Sequence, residues 1–99
     1  MKPVWIVSAR RTPQGRFLGA LAKYSATELG VLAGKAALSS VQPEFIDWVI
    51  VGNVLGAGLG MNIARQIGIG IGLPVSTPAL KVNMMCASGI QAVILARYK

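Results

Sequence analysis

The chain has 99 residues, of which 54% are hydrophobic and only 13% are charged, a length that suits one small domain with a modest core. Its single cysteine excludes an internal disulfide and a cysteine-based metal site, and the absence of histidine removes the usual metal ligand and general base. The net charge of +7 comes from scattered residues, with only Arg10, Arg11 and Arg16 clustered, so diffuse solubilising charge is favoured over an anionic substrate, and nucleic acid comes last.

The first predicted element is a buried strand over Val4–Ala9, where the residues are β-favouring and almost wholly apolar. A loop follows. Ser25 and Glu28 then form the Ser-x-x-Glu pattern of a capping box, in which each side chain satisfies a free backbone N–H at a helix start. Apolar residues follow at helical spacing, which predicts a helix from about Ala26 to Ser39.

The middle of the chain predicts a second strand and a second helix. Residues 47–54, "DWVIVGNV", are mostly apolar and typical of a buried strand. After a glycine-rich loop, Asn62 is a candidate cap for a helix that continues to about Gly72. Three glycines weaken this helix and indicate the close approach of another backbone, or a fraying end; they are Gly68, Gly70 and Gly72.

The last predicted elements are a strand over Leu80–Asn83 and a helix that begins at Cys86 or Ala87 and runs towards Lys99. The predicted order is therefore β-α-β-α-β-α, which places the chain in the α/β class as one partial domain over residues 1–99. Continuous apolar strands that alternate with helices favour a parallel sheet with right-handed crossovers.

The last helix is apolar around its whole circumference, because Gln91 is the only polar residue between Gly89 and Arg97. A helix of this kind is buried on all sides. Three strands and two other helices are too few to surround it. The sequence therefore predicts further chain beyond Lys99, or a partner that covers the helix.

Cys86 lies where the last strand passes into the last helix. A residue on such a turn points outward at the carboxyl end of a parallel sheet, where ligands usually bind. The free N–H groups and partial positive charge of a helix N-terminus favour a thiolate and can hold an oxyanion. Such a thiolate could attack a thioester and form an acyl-enzyme. The alternative is a buried structural cysteine, because most lone cysteines are inert.

The residues around Cys86, "VNMMCASGIQAV", resemble the active-site signature of the thiolase family, in which an Asn precedes the Cys by three positions. The resemblance continues along the chain. "VWIVSARRTPQGRFLGALA" resembles the opening strand and loop of the family, "VIVGNVLGAGLGMNIARQIGI" its second strand and glycine loop, and "GLPVSTPALKVN" the lead into its nucleophile strand. Together these segments identify the chain as the N-terminal portion of a thiolase.

This resemblance implies an acetyl-CoA acetyltransferase or 3-ketoacyl-CoA thiolase. Cys86 would accept an acetyl or longer acyl group from acyl-CoA, and a second acetyl-CoA would then attack the acyl-cysteine to give a 3-ketoacyl-CoA, reversibly. The resemblance implies coenzyme A thioesters as substrates, no metal or other cofactor, and a homodimer or homotetramer of the full-length protein. It also implies part of a layered αβαβα fold.

The chain departs from the family in length and in catalytic groups. A family subunit is about four times as long and has two similar halves, a late histidine that activates the nucleophile and a late second cysteine. This sequence contains neither the late histidine nor the second cysteine, and it matches only part of the first half and lacks the CoA-binding loop domain. We therefore expect the 99-residue piece alone to be inactive. Two alternatives stay open: a non-catalytic truncated fragment that acts only through subunit assembly, and a ketoacyl-synthase-like condensing enzyme of the same superfamily.

Several other residues have weaker functional interpretations. The loop Gly56–Gly60 fails the Gly-x-Gly-x-x-Gly nucleotide fingerprint, because its third glycine position holds Met61. Core packing is favoured over an acyl pocket for Met61, Met84 and Met85. Partner contacts or ion pairs are favoured over catalysis for Arg65 and Gln66, and Ser88 is interpreted as a helix cap. For Arg10, Arg11 and Arg16, contacts in a solvated loop or at an interface are favoured over binding of CoA phosphates. With no apolar stretch of membrane-spanning length and no signal-like N-terminus, we expect a cytosolic protein without membrane or nucleic-acid partners.

Overall fold

A computed structural model describes residues 2–99, which form three α-helices and two strands. In chain order these elements are α1 (Ala26–Ala37), β1 (Val49–Gly52), α2 (Ile63–Gly70), β2 (Ala79–Val82) and α3 (Ser88–Arg97), with a 3-10 turn at Pro43–Phe45 between α1 and β1. Each of the five elements was predicted from the sequence, with ends that differ by at most two residues.

The two strands form a parallel sheet, as predicted, in the register Val49↔Ala79 to Gly52↔Val82. The sheet has a helix on each side, and each helix faces different strand residues because successive side chains of a strand point to opposite faces. Val49 faces Gly68 of α2, and Gly52 faces the start of α3. α1 packs on the outside of α2, and the few buried apolar residues are Ile63, Ala64, Ile67, Leu73 and Ala92.

The predicted strand over Val4–Ala9 is wrong. These residues form no strand, and the side chains of Trp5, Ile6 and Val7 are at least 80% exposed. A strand needs a neighbouring strand to bond its N–H and C=O groups, and within residues 2–99 β1 pairs only with β2. The segment instead lies beside α3, where Val4 and Ile6 line a cavity of about 350 Å³.

The capping box of α1 is present as predicted. Ser25 Oγ accepts a hydrogen bond from Glu28 N–H at 3.1 Å, and Glu28 Oε1 accepts one from Ser25 N–H at 3.3 Å. Two of the N–H groups at the helix start are thereby satisfied, which fixes where α1 begins.

The start of α2 depends on Asn62. This residue has a left-handed backbone with φ of 42°, and its Oδ1 accepts a hydrogen bond from Arg65 N–H at 3.3 Å. Its Nδ2 also donates to the carbonyl of Ala79 at 3.2 Å, which ties the helix to β2. Asn62 thus caps α2, as predicted, and joins it to the sheet.

The glycines of α2 are explained by side-chain packing and by the helix end. A Cβ on Gly70 would lie 2.5 Å from Val31 Cγ2 of α1, so the close approach is by a side chain rather than by another backbone. Gly72 has φ of 90°, and the N–H groups of Gly72 and Leu73 donate to the carbonyls of Ile69 and Gly68. These are the two bonds of a Schellman cap.

Replacing Asn62 with alanine should lower the free energy of unfolding by about 2 kcal/mol, because it removes the cap and the bond to β2 and leaves a Cβ in a left-handed backbone. Asn62→Gly is the control, since glycine tolerates that backbone and loses only the hydrogen bonds. Urea unfolding followed by circular dichroism would measure both, and equal stabilities of Asn62→Ala and wild type would contradict the assignment.

α3 presents apolar side chains to solvent. Ser88 and Ala92 are its buried residues, whereas Ile90, Val93 and Ile94 are 66%, 59% and 44% exposed. Residues 2–99 therefore do not surround this helix, which agrees with the sequence analysis. At ten residues it is also too short to cross a bilayer, and none of the helices in this range is a candidate membrane span.

Candidate active site

Cys86 lies in the connection between β2, which ends at Val82, and α3, which begins at Ser88. Its side chain is exposed. The N-cap of α3 is Ala87, so the helix begins slightly later than predicted and Cys86 directly precedes the cap. The predicted position of the thiol, between a parallel strand and the N-terminal end of a helix, is confirmed.

The connection is a tight turn with a left-handed residue next to the cysteine. Met85 has φ of 51°, and its N–H donates to Asn83 Oδ1 at 3.0 Å. The N–H groups of Ala87 and Ser88 donate to the carbonyls of Met84 and Met85 at 3.1 and 3.0 Å. These bonds fold residues 83–88 into a compact turn that leaves Cys86 outside.

Ser88 does not cap α3, contrary to the sequence interpretation. It is the first helical residue, and its hydroxyl points back into the turn. Ser88 Oγ accepts a hydrogen bond from Met84 N–H at 2.8 Å and donates one to the carbonyl of Met85 at 2.6 Å. The helix itself has no side-chain cap, because Ala87 has no hydrogen-bonding side chain.

The turn rests on the end of β1. A Cβ on Gly52 would overlap the carbonyl carbon and oxygen of Ser88 and would lie 2.6 Å from Gly89 N. Only a residue without a side chain admits the start of α3 this closely. From the sequence, Gly52 was predicted only as part of a strand; its one signal was a glycine at the end of an otherwise β-branched run.

The first turn of α3 offers hydrogen-bond donors close to the thiol along the chain. Within residues 2–99, the backbone N–H groups of Gly89 and Ile90 donate to no acceptor. Helix N-termini carry a partial positive charge and bind anions through such groups. An exposed thiol beside this helix end suits nucleophilic attack on a carbonyl that develops negative charge.

The methionines predicted as core residues are exposed. Met84 and Met85 adjoin Cys86 along the chain and are 54% and 67% exposed, and Met61 is 88% exposed in the loop before α2. The core prediction is therefore wrong for all three, because the turn and the loop that carry them lie at the surface. Met84 and Met85 thus form an apolar surface next to the thiol.

Arg65 and Gln66 have structural partners in this chain. Gln66 Nε2 donates to the carbonyls of Leu59 and Met61 at 2.6 and 2.9 Å, which fixes the glycine loop against α2. Arg65 Nη1 donates to the carbonyl of Val75 at 3.3 Å. Both side chains donate to loop carbonyls, and Gln66 Oε1 also accepts from Thr27 Oγ1 of α1 at 3.3 Å. The ion pair considered for them does not form among residues 2–99.

The three clustered arginines lie exposed in the N-terminal segment, where Arg10 Nη1 donates to the carbonyl of Ala9 at 2.7 Å.

A second polar region lies on the α2 side of the sheet. There Asn53, Asn62 and Lys81 line a cleft of about 240 Å³, and Asn53 Oδ1 is buried without a hydrogen-bond partner within residues 2–99. Asn53 was not among the predicted site residues.

Comparison with known proteins identifies the family of this chain. The family model described as "Thiolase, N-terminal domain" matches residues 4–99. An acetyl-CoA acetyltransferase of Clostridioides difficile is 49% identical over 94 residues, which are 93% of this chain and 88% of the relative. An acetyl-CoA acetyltransferase of Cupriavidus necator is 52% identical over 98 residues, which are 97% of this chain but only 25% of the relative.

A solved structure shares the fold. The crystal structure of the Acat5 thiolase from Ascaris suum in complex with coenzyme A superimposes with a TM-score of 0.93 at 43% identity, covering 96% of this chain and 25% of that one. The present chain therefore spans about a quarter of this thiolase and of the Cupriavidus relative. Its strands, helices and Cys86 turn correspond to part of the α/β fold of a thiolase, and the chain belongs to the thiolase family.

Proposed function

We propose that this chain is the nucleophile-bearing part of a thiolase-type acyltransferase, and that Cys86 carries the acyl group. The observation that supports this most directly is the exposed thiol in the turn between β2 and the N-terminal end of α3. The names of the relatives, acetyl-CoA acetyltransferase and 3-ketoacyl-CoA thiolase, support an acyltransferase role. Their similarity to this chain favours thiolase over a ketoacyl-synthase-like enzyme.

The proposed reaction has two balanced steps. In the first, the Cys86 thiolate attacks the thioester carbonyl of acetyl-CoA; a new carbon–sulfur bond forms, and coenzyme A leaves with the electrons of the old one and takes up a proton. In the second, the α-carbon of another acetyl-CoA loses a proton and attacks the acetyl carbonyl. Acetoacetyl-CoA forms and Cys86 leaves as a thiolate.

This chain supplies the nucleophile but not the base. It has no histidine and no second cysteine, so the groups that remove protons in both steps must come from elsewhere. The N–H groups of Gly89 and Ile90 donate to no acceptor within residues 2–99, but Gly89 N packs against Gly52, so the N–H of Ile90 is the better candidate to hydrogen-bond an oxyanion near the start of α3. We further propose that the full-length protein needs no prosthetic group and assembles into homodimers or homotetramers, as the family resemblance implies. We also propose a cytosolic location, as expected from the sequence.

The test is to incubate the 99-residue chain with acetyl-CoA and to map tryptic peptides by mass. Cys86 falls in the peptide Val82–Arg97, which contains no lysine, so an acetyl group there is not on a lysine side chain. An acetyl group on Cys86 is a thioester, so hydroxylamine should release it, and its presence would show that this piece performs the first step without the rest of a thiolase. The Cys86→Ser variant should lack this hydroxylamine-sensitive acetyl group.

Failure to acetylate any chain would count against activity of this piece alone. An extended protein, expressed from the coding sequence read past codon 99, distinguishes that result from failure of the family mechanism. If the reading frame is that of a thiolase, it should continue to a late histidine and a late cysteine. If the extended protein also leaves Cys86 unmodified in peptide maps while it turns over acetyl-CoA, the assignment of Cys86 is wrong.

A second candidate function is assembly without catalysis. The exposed apolar side chains of α3 and of residues 4–7 favour it, because they form a surface suited to contact with another chain. In this case the chain would bind a thiolase subunit without acquiring an acetyl group on Cys86. Size-exclusion chromatography of the mixture, with peptide mapping of the complex, distinguishes the two functions.

A further inference from the structure

One buried hydroxyl connects the two ends of the Cys86 turn. Ser88 is 4% exposed, and its Oγ both accepts from Met84 N–H and donates to the carbonyl of Met85. Its backbone carbonyl packs directly on Gly52, where an added Cβ would overlap it. The hydroxyl therefore fixes the backbone on the N-terminal side of Cys86 relative to the helix on its C-terminal side.

The backbone that Ser88 holds is an unfavourable one. Met85 has φ of 51°, a left-handed conformation that costs free energy for any residue with a Cβ and persists only where its surroundings impose it. Its N–H is bonded to Asn83 Oδ1, and its carbonyl accepts from both Ser88 Oγ and Ser88 N–H. The carbonyl of Met85 belongs to the peptide unit that leads into Cys86, so the clamp on Met85 orients the cysteine.

We propose that Ser88 is a positioning residue for Cys86, which holds Met85 in the left-handed conformation and so directs the thiol outward beside the start of α3. This rests on the proposed nucleophilic role of Cys86. Ser88 itself is not placed in contact with substrate. Its proton is engaged with the carbonyl of Met85, and among residues 2–99 its hydroxyl forms no hydrogen bond with the Cys86 thiol.

The test uses the rate at which iodoacetamide alkylates the 99-residue chain, because Cys86 is the only thiol. For each variant the rate in buffer is divided by its rate in concentrated urea, which removes differences in intrinsic thiol reactivity. Ser88→Ala should lower this ratio at least about fivefold, which is the factor that the net contribution of one typical hydrogen bond makes in an equilibrium constant. Ser88→Thr retains the hydroxyl and should remain closer to wild type than to Ser88→Ala.

The decisive variant is Met85→Gly combined with Ser88→Ala. Glycine adopts a positive φ without a clamp, so the double variant should regain most of the wild-type ratio. Failure of Met85→Gly to restore the ratio would overturn the proposal, because a merely structural loss would not be repaired at residue 85. A wild-type ratio in Ser88→Ala would also overturn it. If Ser88→Ala alone does not fold, the double variant must still fold and react like wild type.

Alkylation keeps this inference separate from the proposed function, because iodoacetamide needs no coenzyme A site. Absence of acetylation together with a Ser88-dependent alkylation ratio would reject acyl transfer by this chain and retain the positioning role. Acetylation of Cys86 with an alkylation ratio that does not depend on Ser88 would do the reverse.

Discussion

An alanine at position 52 is expected to lower the free energy of unfolding by about 3 kcal/mol or more, the upper range for overpacking a tight contact. Gly52 ends β1, and the first residues of α3 lie directly on it. The added methyl group would overlap the carbonyl group of Ser88 and approach Gly89 N to 2.6 Å. Because both obstacles are backbone, no rotamer change relieves them, and α3 must move off the sheet.

The loss would be a large part of the stability of a chain this size. Folded proteins have about 0.05–0.15 kcal/mol of stability per residue, which for about 100 residues amounts to roughly 5–15 kcal/mol. The contact between β1 and α3 is also one of the main contacts of the sheet. Urea unfolding followed by tryptophan fluorescence would report it mainly through Trp48, because Trp5 is already 80% exposed in the folded chain. Trp48 precedes β1 and lies under the ammonium group of Lys99 at 4.6 Å.

Gly89→Ala is the matched control for Gly52→Ala. Gly89 lies on the other side of the same contact, but a Cβ built there meets nothing within 4 Å. Because alanine is favoured over glycine inside a helix, this variant should be as stable as wild type or more stable by up to about 1 kcal/mol. All variants are compared at one protein concentration, because association changes apparent stability. Equal effects of the two substitutions would contradict the tight contact.

The elements predicted correctly are those specified by neighbouring residues. The capping box of Ser25 and Glu28 fixes the start of α1 through contacts three residues apart, and Asn62 does the same for α2. Helical hydrophobic spacing and short apolar runs likewise depend only on local sequence. The position of Cys86 between a strand and a helix followed from these local signals.

The incorrect prediction for Val4–Ala9 has the opposite cause. An apolar, β-branched segment has the side chains of a strand, but strand formation also requires a partner that bonds its backbone. Within residues 2–99 no such partner is paired with it, and Trp5 remains 80% exposed. The composition of the segment therefore indicates that it needs cover, and does not indicate what covers it.

The parts of the candidate site that sequence did not reveal depend on contacts between distant residues. Gly52 and Ser88 are far apart in the chain, and their contact follows from the placement of α3 on β1. The hydroxyl of Ser88 could equally have capped the helix, and only the left-handed backbone of Met85 turns the neighbouring N–H and carbonyl towards it. The candidate nucleophile could therefore be predicted from local sequence, whereas the residues that hold its turn could not.

The exposed apolar surface of α3 leads to the second large expected effect: the isolated 99-residue chain should bind a hydrophobic dye and self-associate. Ile90, Val93 and Ile94 project from one short helix, and Val93 and Ile94 also line the cavity beside Val4 and Ile6. Contiguous apolar surface of this kind marks an interaction site or promotes aggregation. Dye fluorescence and sedimentation velocity would measure both properties.

Two adjacent substitutions test whether α3 is the source of this behaviour. Val93→Gln replaces a side chain that is 59% exposed, so it should reduce dye binding and association while it changes stability by no more than about 0.5 kcal/mol. Ala92→Gln places the same amide at a position that is 8% exposed and packed towards the sheet, so it should destabilise the chain by about 2 kcal/mol and increase dye binding. The two substitutions should change dye binding in opposite directions, because Val93 lies on the exposed side of the helix and Ala92 on the side that faces the sheet. A wild-type chain that is monomeric, does not bind the dye and melts sharply would contradict this account of α3, because its apolar side chains would then have to be covered within the chain itself.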